Sequence, residues 1–176
     1  FLAFGIVGAQ SLPIPASTGS ITNAAQVRQL SPSAAEGLPV RVRGVVTYYD
    51  EANLLAYVQD PTAGTRVETP WEIVEPEHSS RPITAGMLVE LSGYTRLGKF
   101  APIISHHPIV RVFDRVESLP KPMEPLWGSL LEPTFHSQWV VVKAFVRTAD
   151  FDKGRLRLGL TCGPRHIDAF VTGDWS

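Results

Sequence analysis

A segment in the first third of the chain returns in altered form one hundred residues later. Residues 38–50 read LPVRVRGVVTYYD and residues 138–150 read QWVVVKAFVRTAD. The likeness continues, because LLAYVQD corresponds to RLRLGLT and TRVET corresponds to HIDAFVT, with turn residues between them in both copies. Similarity at a fixed offset over three successive segments indicates duplication of one structural unit. The aligned positions of the first segment are Val40 and Val140, Val42 and Val142, Arg43 and Lys143, Gly44 and Ala144, and Val46 and Val146.

The first copy has the pattern of a long strand that bends. Val40 and Val42 alternate with two arginines, Gly44 interrupts, and β-branched and aromatic residues continue to Tyr49. A glycine inside a strand lets it coil and pair with both halves of a small barrel. We therefore predict an all-β protein with two small barrels in tandem, the second incomplete after its third strand. Further strands of the first barrel are predicted in LLAYVQD, TRVET, MLVELSGYTR, KFAPIIS and PIVRVFD.

Segments rich in proline, glycine and serine divide the chain of 176 residues into predicted modules and linkers. The opening nonapeptide FLAFGIVGA is apolar, and Val7 and Ala9 fit the small-residue pattern that precedes signal-peptide cleavage. Thr22 or Asn23 can cap a short helix through AAQVRQL, whose Ala25, Val27 and Leu30 are available for packing. The polar segment PWEIVEPEHSSRPITAG predicts a long connection. The predicted organisation is a signal-peptide remnant or membrane anchor over 1–9, a linker over 10–21, a first module over 22–118, a linker with a helical turn in PLWGSLL over 119–137, and a partial second module over 138–176.

Composition and motifs disfavour several classes of function. Sixteen basic and seventeen acidic residues leave a net charge of −1, so no overall positive field attracts nucleic-acid phosphates. The single cysteine, Cys162, excludes an internal disulfide and a multi-cysteine metal site. The sequence contains no HExxH, no G-x-S-x-G and no phosphate-binding glycine loop. We predict a protein that is not an enzyme and that uses no metal and no cofactor.

Two pairs of residues keep a chemical alternative open. His106 and His107 in SHHP could supply two metal nitrogens, but neighbouring side chains on a strand point to opposite faces, which favours a solvent-facing turn. Cys162 lies close in sequence to His166 and could be an activated nucleophile. A lone cysteine at a strand end is more often a small packing residue.

Three stretches together resemble a known family. They are ITNAAQVRQLSPSAAEGLPVRVRGVVTYYDEANLLAYVQDPTAG, VELSGYTRLGKFAPII and PLWGSLLEPTFHSQWVVVKAFVR. The chain over residues 21–172 resembles tandem OB-like domains in the periplasmic parts of bacterial envelope proteins, among them sensor regions of histidine kinases and diguanylate cyclases. The resemblance implies secretion, two OB-like five-stranded barrels and a role in sensing or protein contact. Ala144 departs from the pattern, because a bend glycine is usual there.

OB barrels bind ligands on strands 2 and 3 and with the loops that join strands 1 to 2 and 4 to 5. Tyrosines beside arginines can stack on bases or sugars and hold an anionic group. Tyr57 has a plainer interpretation as well, since strand alternation places it with Leu55 and Gln59 on an outer face where no ligand is needed. The candidate ligand-binding residues are Tyr49, Asn53, Tyr57, Gln59, Arg66, Arg96 and Lys99.

The predicted function is a non-catalytic periplasmic module for protein contact or ligand sensing. It would serve as the sensor region of a larger protein or as a subunit of an envelope complex. Its predicted partner is another envelope or membrane protein, with an unidentified small ligand as a further option. The alternative is an OB protein that binds single-stranded nucleic acid or oligosaccharide, although near-neutral charge and the export pattern disfavour nucleic acid. Candidate anchors for a protein partner are Trp71, Trp127, Trp139 and Trp175, of which Trp139 fits a core position better.

Overall fold

The structure, a computed structural model, describes residues 19–74, 82–116, 118–152 and 154–171. The predicted signal remnant, most of the first linker and the candidate anchor Trp175 lie outside these ranges. Within them the chain forms one α-helix, two 3₁₀ turns and nine strands. The elements are α1 (Ala24–Gln29), the 3₁₀ turns Pro32–Ala34 and Pro133–Phe135, β1 (Pro39–Asp50), β2 (Leu55–Gln59), β3 (Gly64–Val67), β4 (Glu72–Val74), β5 (Met87–Arg96), β6 (Ile103–Val116), β7 (Phe145–Asp152), β8 (Arg155–Cys162) and β9 (Arg165–Val171).

Strand β1 changes its partner near its midpoint. Residues from Pro39 to Val45 pair with β5, and residues from Val45 to Asp50 pair with β2. Gly44 lies at the changeover, where an added Cβ would be 2.6 Å from the carbonyl oxygen of Gln59. Only glycine lets the two backbones approach this closely. The predicted bend at Gly44, and the sharing of one strand between two halves of a barrel, are confirmed.

The strands of the first module close into a ring. The sheet runs β3-β2-β1-β5-β6, and β6 meets β3 again through a parallel bridge between Val67 and Ile104. This is the strand order of a five-stranded OB barrel, so the predicted OB-like, all-β fold is confirmed. The alternation of the strands sends apolar side chains inward, where they lose all contact with water. The fully buried members include Val42, Val46, Ala56, Val58, Val67, Val89, Leu91, Ile104 and Val110.

Two predicted strand boundaries are wrong. The expected polar connection after Pro70 contains strand β4, which pairs in parallel with β6. The segments KFAPIIS and PIVRVFD form one strand, β6, rather than two. His106 and His107 do not end the strand, because they adopt left-handed φ angles of 62° and 53° and form an exposed bulge within it. A bulge absorbs extra residues while pairing continues on both sides.

Helix α1 lies against the end of the barrel near β3. The side chain of Asn23 caps it by accepting from the backbone N–H of Gln26 at 2.9 Å, as predicted. The carboxylate of Asp60, in the turn after β2, accepts from the N–H of Ala24 at 2.7 Å. Val27 is fully buried as expected, whereas Ala24 rather than Ala25 is its buried companion. The helix therefore covers the barrel core on this side.

The second module repeats the pairing of the first three strands. It is a meander in the order β7-β8-β9, and the register shift between Val46 and Tyr48 in β1 recurs between Val146 and Thr148 in β7. The duplication predicted from the sequence is therefore present in the strand register. Corresponding pairs are Val46–Val58 and Val146–Leu160, Tyr48–Tyr57 and Thr148–Gly159, Ala56–Val67 and Leu158–Ala169, and Tyr57–Arg66 and Gly159–Asp168.

The two modules differ in what covers their sheets. In the first, β5 and β6 complete the barrel and bury Val46 fully, whereas the corresponding Val146 is 57% exposed. Within the described part of the chain no strand takes the place of β5 and β6 beside β7 and β9. The predicted strand from residue 138 accordingly begins only at Phe145. The segment before it corresponds to the half of β1 that pairs with β5, and it makes an isolated bridge between Val140 and Met123.

Candidate functional site

The outer surface of β2 and β3 is covered by residues 136–139 of the same chain. The side chain of Gln138 accepts from the N–H of Gly64 at 3.0 Å and donates to its carbonyl at 3.1 Å. The backbone N–H of Trp139 donates to Oε1 of Gln59 at 3.0 Å. Gln59, a predicted ligand-binding residue, is thus engaged inside the protein. We call residues 136–139 the covering segment.

The guanidinium of Arg28, on α1, binds backbone carbonyls of residues 133–136. It donates to the carbonyl of His136, and also to those of Pro133 at 3.0 Å and Thr134 at 3.1 Å. These three hydrogen bonds hold the backbone of residues 133–136 against α1. The covering segment is therefore fixed both to the sheet and to the helix.

The imidazole of His136 lies beside two guanidinium groups. Partial burial, followed by the positive charges of Arg28 and Arg66, lowers the pKa of His136. Its ring lies 5.2 Å from that of Phe100, and its Nδ1 is 3.0 Å from Oγ of Ser137. The ring is consequently neutral at pH 7. Arg66, a predicted ligand-binding residue, lies opposite Tyr57 in the register of β2 and β3.

Tyr49 and Asn53 have structural contacts of their own. The ring of Tyr49 lies 5.1 Å from that of Trp71 and packs on the barrel core. Burial, together with the Glu51 carboxylate, raises the pKa of the Tyr49 phenol. Asn53 donates its backbone and side-chain N–H groups to the carboxylate of Asp50 at 3.0–3.1 Å, which closes the β1–β2 turn. These two predicted residues stabilise the barrel.

Arg96 and Lys99 lie at the end of β5 and in the loop after it. Arg96 forms an ion pair of 3.0 Å with Glu68, whose carboxylate also accepts from the hydroxyl of Ser105. The Ser105 hydrogen bond is the main cause that lowers the pKa of Glu68, and the charge of Arg96 adds to it. Lys99 is exposed, with its Nζ 5.2 Å from the ring centre of Phe100. Arg96 therefore stabilises the barrel closure near β3 and β6.

A cleft of about 330 Å³ lies where the first module meets the covering segment and the β7–β9 sheet. Of the predicted ligand-binding residues, Tyr57 lines it, in edge contact with Tyr48 at 6.2 Å between ring centres. The cleft thus combines aromatic walls with a few polar groups. Its lining residues are Thr47, Tyr48, Leu55, Tyr57, His136, Ser137, Gln138, Trp139, Arg155 and Phe170.

Arg155 supplies a nearly buried cation to this cleft. Its side chain is 13% exposed, its Nη1 lies 3.8 Å from Oδ2 of Asp50, and its guanidinium stacks 4.3 Å from the ring centre of Phe170. Asp50 meanwhile accepts hydrogen bonds from Tyr48 and Asn53. The Nε of Arg155 is shielded from water and has no acceptor among the described residues. Such an unsatisfied donor costs about 1–3 kcal/mol.

A larger groove of about 890 Å³ lies between α1, the β5–β6 loop and residues 133–138. Lys99 lines it from an exposed position, and Arg28 is already engaged by carbonyl oxygens. The groove therefore has one exposed cation and one that the chain already binds, whereas the cation of the cleft is nearly buried.

The sequence raised two chemical alternatives, a metal site at His106 and His107 and a nucleophile at Cys162. The structure brings no further ligands or partners to either of them among the described residues. His106 and His107 are exposed in the β6 bulge, and no group of three or more His, Cys, Asp or Glu side chains in the described ranges could hold a metal ion. The Nε2 of His166 lies 3.2 Å from Oδ1 of Asp168 on β9, so its observed partner is a carboxylate rather than Cys162.

None of the helical segments among the described residues is long and apolar enough to span a membrane.

Comparisons with known proteins add little to these observations. No protein-family model matches the chain, and neither does any curated protein sequence. Among solved structures, the structure of the hypothetical protein ygiW from E. coli is similar to that of this chain, with 16% sequence identity and a TM-score of 0.39. The match covers 55% of this chain and 92% of the other. The OB-like fold is therefore defined by the strand order and register of the first module.

Sequence reasoning missed most of the residues that form the cleft. Arg155, Phe170 and Trp139 come from three separate segments, and each has only an ordinary local pattern. The turn residues Asp50 and Asn53 in YDEAN signal a side-chain-capped turn, which the structure contains. Nothing local to that turn indicates that Asp50 also faces an arginine from the second module.

Proposed function

We propose that this protein is a non-catalytic OB-like module of the bacterial periplasm that binds another envelope protein through the open sheet of its second module. The observation that carries the proposal is the face of the β7–β9 sheet, which no strand of the described ranges covers. The same three strands in the first module are buried by β5 and β6, and the second sheet has the same register while no strand among the described residues covers it. An apolar sheet face left open to water is a typical protein-contact surface.

The repeat also indicates which face of the sheet is open. Each position on β7–β9 that corresponds to a barrel-interior position of β1–β3 lies on one side, and most of these side chains are apolar and only half-buried or exposed. We call this side the open face. Its members include Val146, Ala149, Leu156, Leu158, Leu160, Ile167 and Ala169.

The opposite side of the sheet is polar and is used within the chain. Arg157 forms a two-point pair with Asp150 at 2.9 and 3.0 Å. Arg155 and Phe170, which belong to the same side, line the cleft against the first module. A protein partner is therefore directed to the open face and to the outer edge of β9, which pairs with no strand in the part of the chain that the structure describes.

The first module supplies a template for the partner segment. There β6 pairs with β3 in parallel and with β5 in antiparallel orientation, and both send alternating apolar side chains inward. The proposed partner contributes a two-stranded antiparallel segment with the same alternation, one strand of which runs parallel to β9. Strand addition of this kind draws affinity from main-chain hydrogen bonds and specificity from alternating side chains.

The periplasmic location rests on two sequence features. Residues 1–9 have the apolar and small-residue pattern of a signal peptide, and residues 21–172 resemble periplasmic modules of sensor kinases and cyclases. Both the sensor role and the role as a complex subunit require a protein contact. The alternative role in binding nucleic acid or oligosaccharide has less support, because the covering segment bonds to Gly64 and Gln59 at one end of the β2–β3 surface.

Site-specific photo-crosslinking in the source bacterium tests this proposal. A photoreactive phenylalanine analogue at Ala169 lies on the open face, and the matched control at the neighbouring Asp168 lies on the opposite side. We expect an adduct from position 169 and none from 168, with the crosslinked peptide mapping to a strand of alternating apolar residues in an envelope protein. Equal adducts from both positions, an adduct with a second copy of the chain, or no adduct at 169 would overturn the proposal.

A further inference from the structure

We infer that the cleft between the two modules binds a small organic anion with a flat apolar body, the class that aromatic carboxylates represent. This site is separate from the proposed protein contact. The protein contact uses the open face of the β7–β9 sheet, whereas the cleft is lined by Arg155 and Phe170 from the polar side of the same sheet.

The size and the walls of the cleft fit such a ligand. Its volume of about 330 Å³ falls at the lower end of the range of small-molecule sites, which begins at roughly 300 Å³. Aromatic side chains reach it from each of its three parts: Tyr48 and Tyr57 from the barrel, Trp139 from the covering segment and Phe170 from β9. Flat rings stack well on such surfaces.

The charge in the cleft selects the sign of the ligand. Arg155 is nearly buried, and its contact with Asp50 is an ion pair of 3.8 Å rather than a hydrogen bond. Its Nε has no acceptor within the described part of the chain. Arginine presents its donors in a planar fork that suits carboxylates. Because Arg155 lines the cleft and its side chain keeps 13% of its surface exposed, a ligand carboxylate in the cleft can pair with the guanidinium charge.

Because the lining residues come from three parts of the chain, a bound ligand would hold these parts together. Tyr57 belongs to the barrel, Ser137 to the covering segment and Arg155 to the second module. A ligand that contacts all three joins the modules more firmly, because it binds their docked arrangement and not a separated one. Occupancy of the cleft would in this way be transmitted to the β7–β9 sheet.

Titration of the full chain with 2-naphthoate, followed by ¹H–¹⁵N NMR, tests the inference. The neutral isostere 2-naphthamide separates charge from stacking. The variant Arg155→Gln removes the cation, and Arg147→Gln is its matched control, since Arg147 is an exposed arginine of the same sheet outside the cleft. Tyr57→Leu removes one aromatic wall and leaves the Asp50–Arg155 pair in place.

We expect 2-naphthoate to shift the amide signals of residues that line the cleft and to bind at least about tenfold more tightly than 2-naphthamide. Arg155→Gln should remove that preference, Arg147→Gln should retain it, and Tyr57→Leu should weaken both probes. The inference is overturned if both probes bind equally, if Arg155→Gln behaves as Arg147→Gln does, or if the shifts map to the groove beside Lys99. Should Arg155→Gln unfold, the probe comparison and Tyr57→Leu still decide the question.

Discussion

Arg155 in the second module lies 3.8 Å from Asp50 in the first, and the two side chains are only 13% and 5% exposed. Asp50 ends strand β1, and Arg155 begins strand β8. Each side chain also has local partners: Asn53 and Tyr48 donate to Asp50, and Phe170 stacks on Arg155. This ion pair therefore connects two strands that belong to different copies of the repeat.

A double-mutant cycle on this pair should give a coupling energy of about 1 kcal/mol or more, because removing either partner leaves the other charge buried. The variants are Asp50→Ala, Arg155→Met and their combination, and the measurement is urea-induced unfolding. The exposed pair Arg41–Glu90 provides the control, since the Arg41 side chain is 65% exposed. Its cycle should give a smaller coupling. Additive effects at Asp50 and Arg155 would show that the two residues do not interact.

Replacement of Gly44 by alanine should destabilise the barrel by about 1–3 kcal/mol. The new Cβ would lie 2.6 Å from the backbone oxygen of Gln59 and 2.9 Å from a methyl carbon of Val58. Gly128→Ala is the control, because a Cβ at Gly128 meets no atom within 4 Å. Thermal unfolding of the two variants measures the difference. Equal melting temperatures would contradict the close approach of β1 and β2.

Replacement of Gln138 by alanine should loosen the covering segment and cost about 1–2 kcal/mol, because two hydrogen bonds to Gly64 are lost. The specific readout is the hydrogen-exchange rate of the Gly64 amide, which should rise. Gln29→Ala, at an exposed glutamine on α1, should leave that rate unchanged. An unchanged Gly64 rate in Gln138→Ala would mean that the segment does not rest on β3.

Stability should fall with acidification in a way that depends on His136. Burial and two neighbouring guanidinium groups lower its pKa in the folded state below the usual value of about 6.5. The unfolded chain therefore binds the proton first, so the stabilisation is present above pH 6.5 and is lost as the pH falls toward the folded-state pKa. NMR titration of the ring should give a midpoint below 6.5, and His136→Gln should have a flatter stability profile. A midpoint at or above 6.5 would contradict the buried placement.

Glu68 should add a second acid-sensitive step at lower pH. The Ser105 hydroxyl and the charge of Arg96 lower the pKa of Glu68 below its usual value of about 4.5. Its stabilisation is present above that value and declines as the pH falls through the folded-state pKa. Glu68→Gln should therefore reduce stability at pH 7 and lessen the loss below pH 4.5, as measured by urea unfolding. An unchanged pH profile would exclude this role at the barrel closure.

The parts of the fold that rest on local pattern could be predicted from the sequence. The bend at Gly44, the capping of α1 by Asn23 and the outward position of Tyr57 each follow from neighbouring residues. The bulge at His106 could not be predicted, because a left-handed pair of histidines before proline has the appearance of a turn.

The contacts that residues of the predicted binding surface make within the chain could not be predicted, for a different reason. Gln59 and Arg96 are polar, outward-facing and suitably placed, but both are engaged by residues distant in sequence. The hydrogen bonds of Gln138 to Gly64 join positions 74 residues apart. No periodicity encodes such a contact, since a single glutamine in a linker has many conformations until the barrel offers it a partner.

Amide hydrogen exchange at Glu68 and Phe170 tests the central claim, that β9 has the register of β3 but that no strand of the described residues pairs with its outer edge. The N–H of Glu68 donates to the carbonyl of Ile104 in β6 at 2.8 Å, and Phe170 is its counterpart one repeat later. We predict slow exchange at Glu68 and fast exchange at Phe170 in the isolated protein, and slow exchange at both in the complex with the crosslinked partner. Slow exchange at Phe170 in the isolated protein, or fast exchange there in the complex, would contradict the claim.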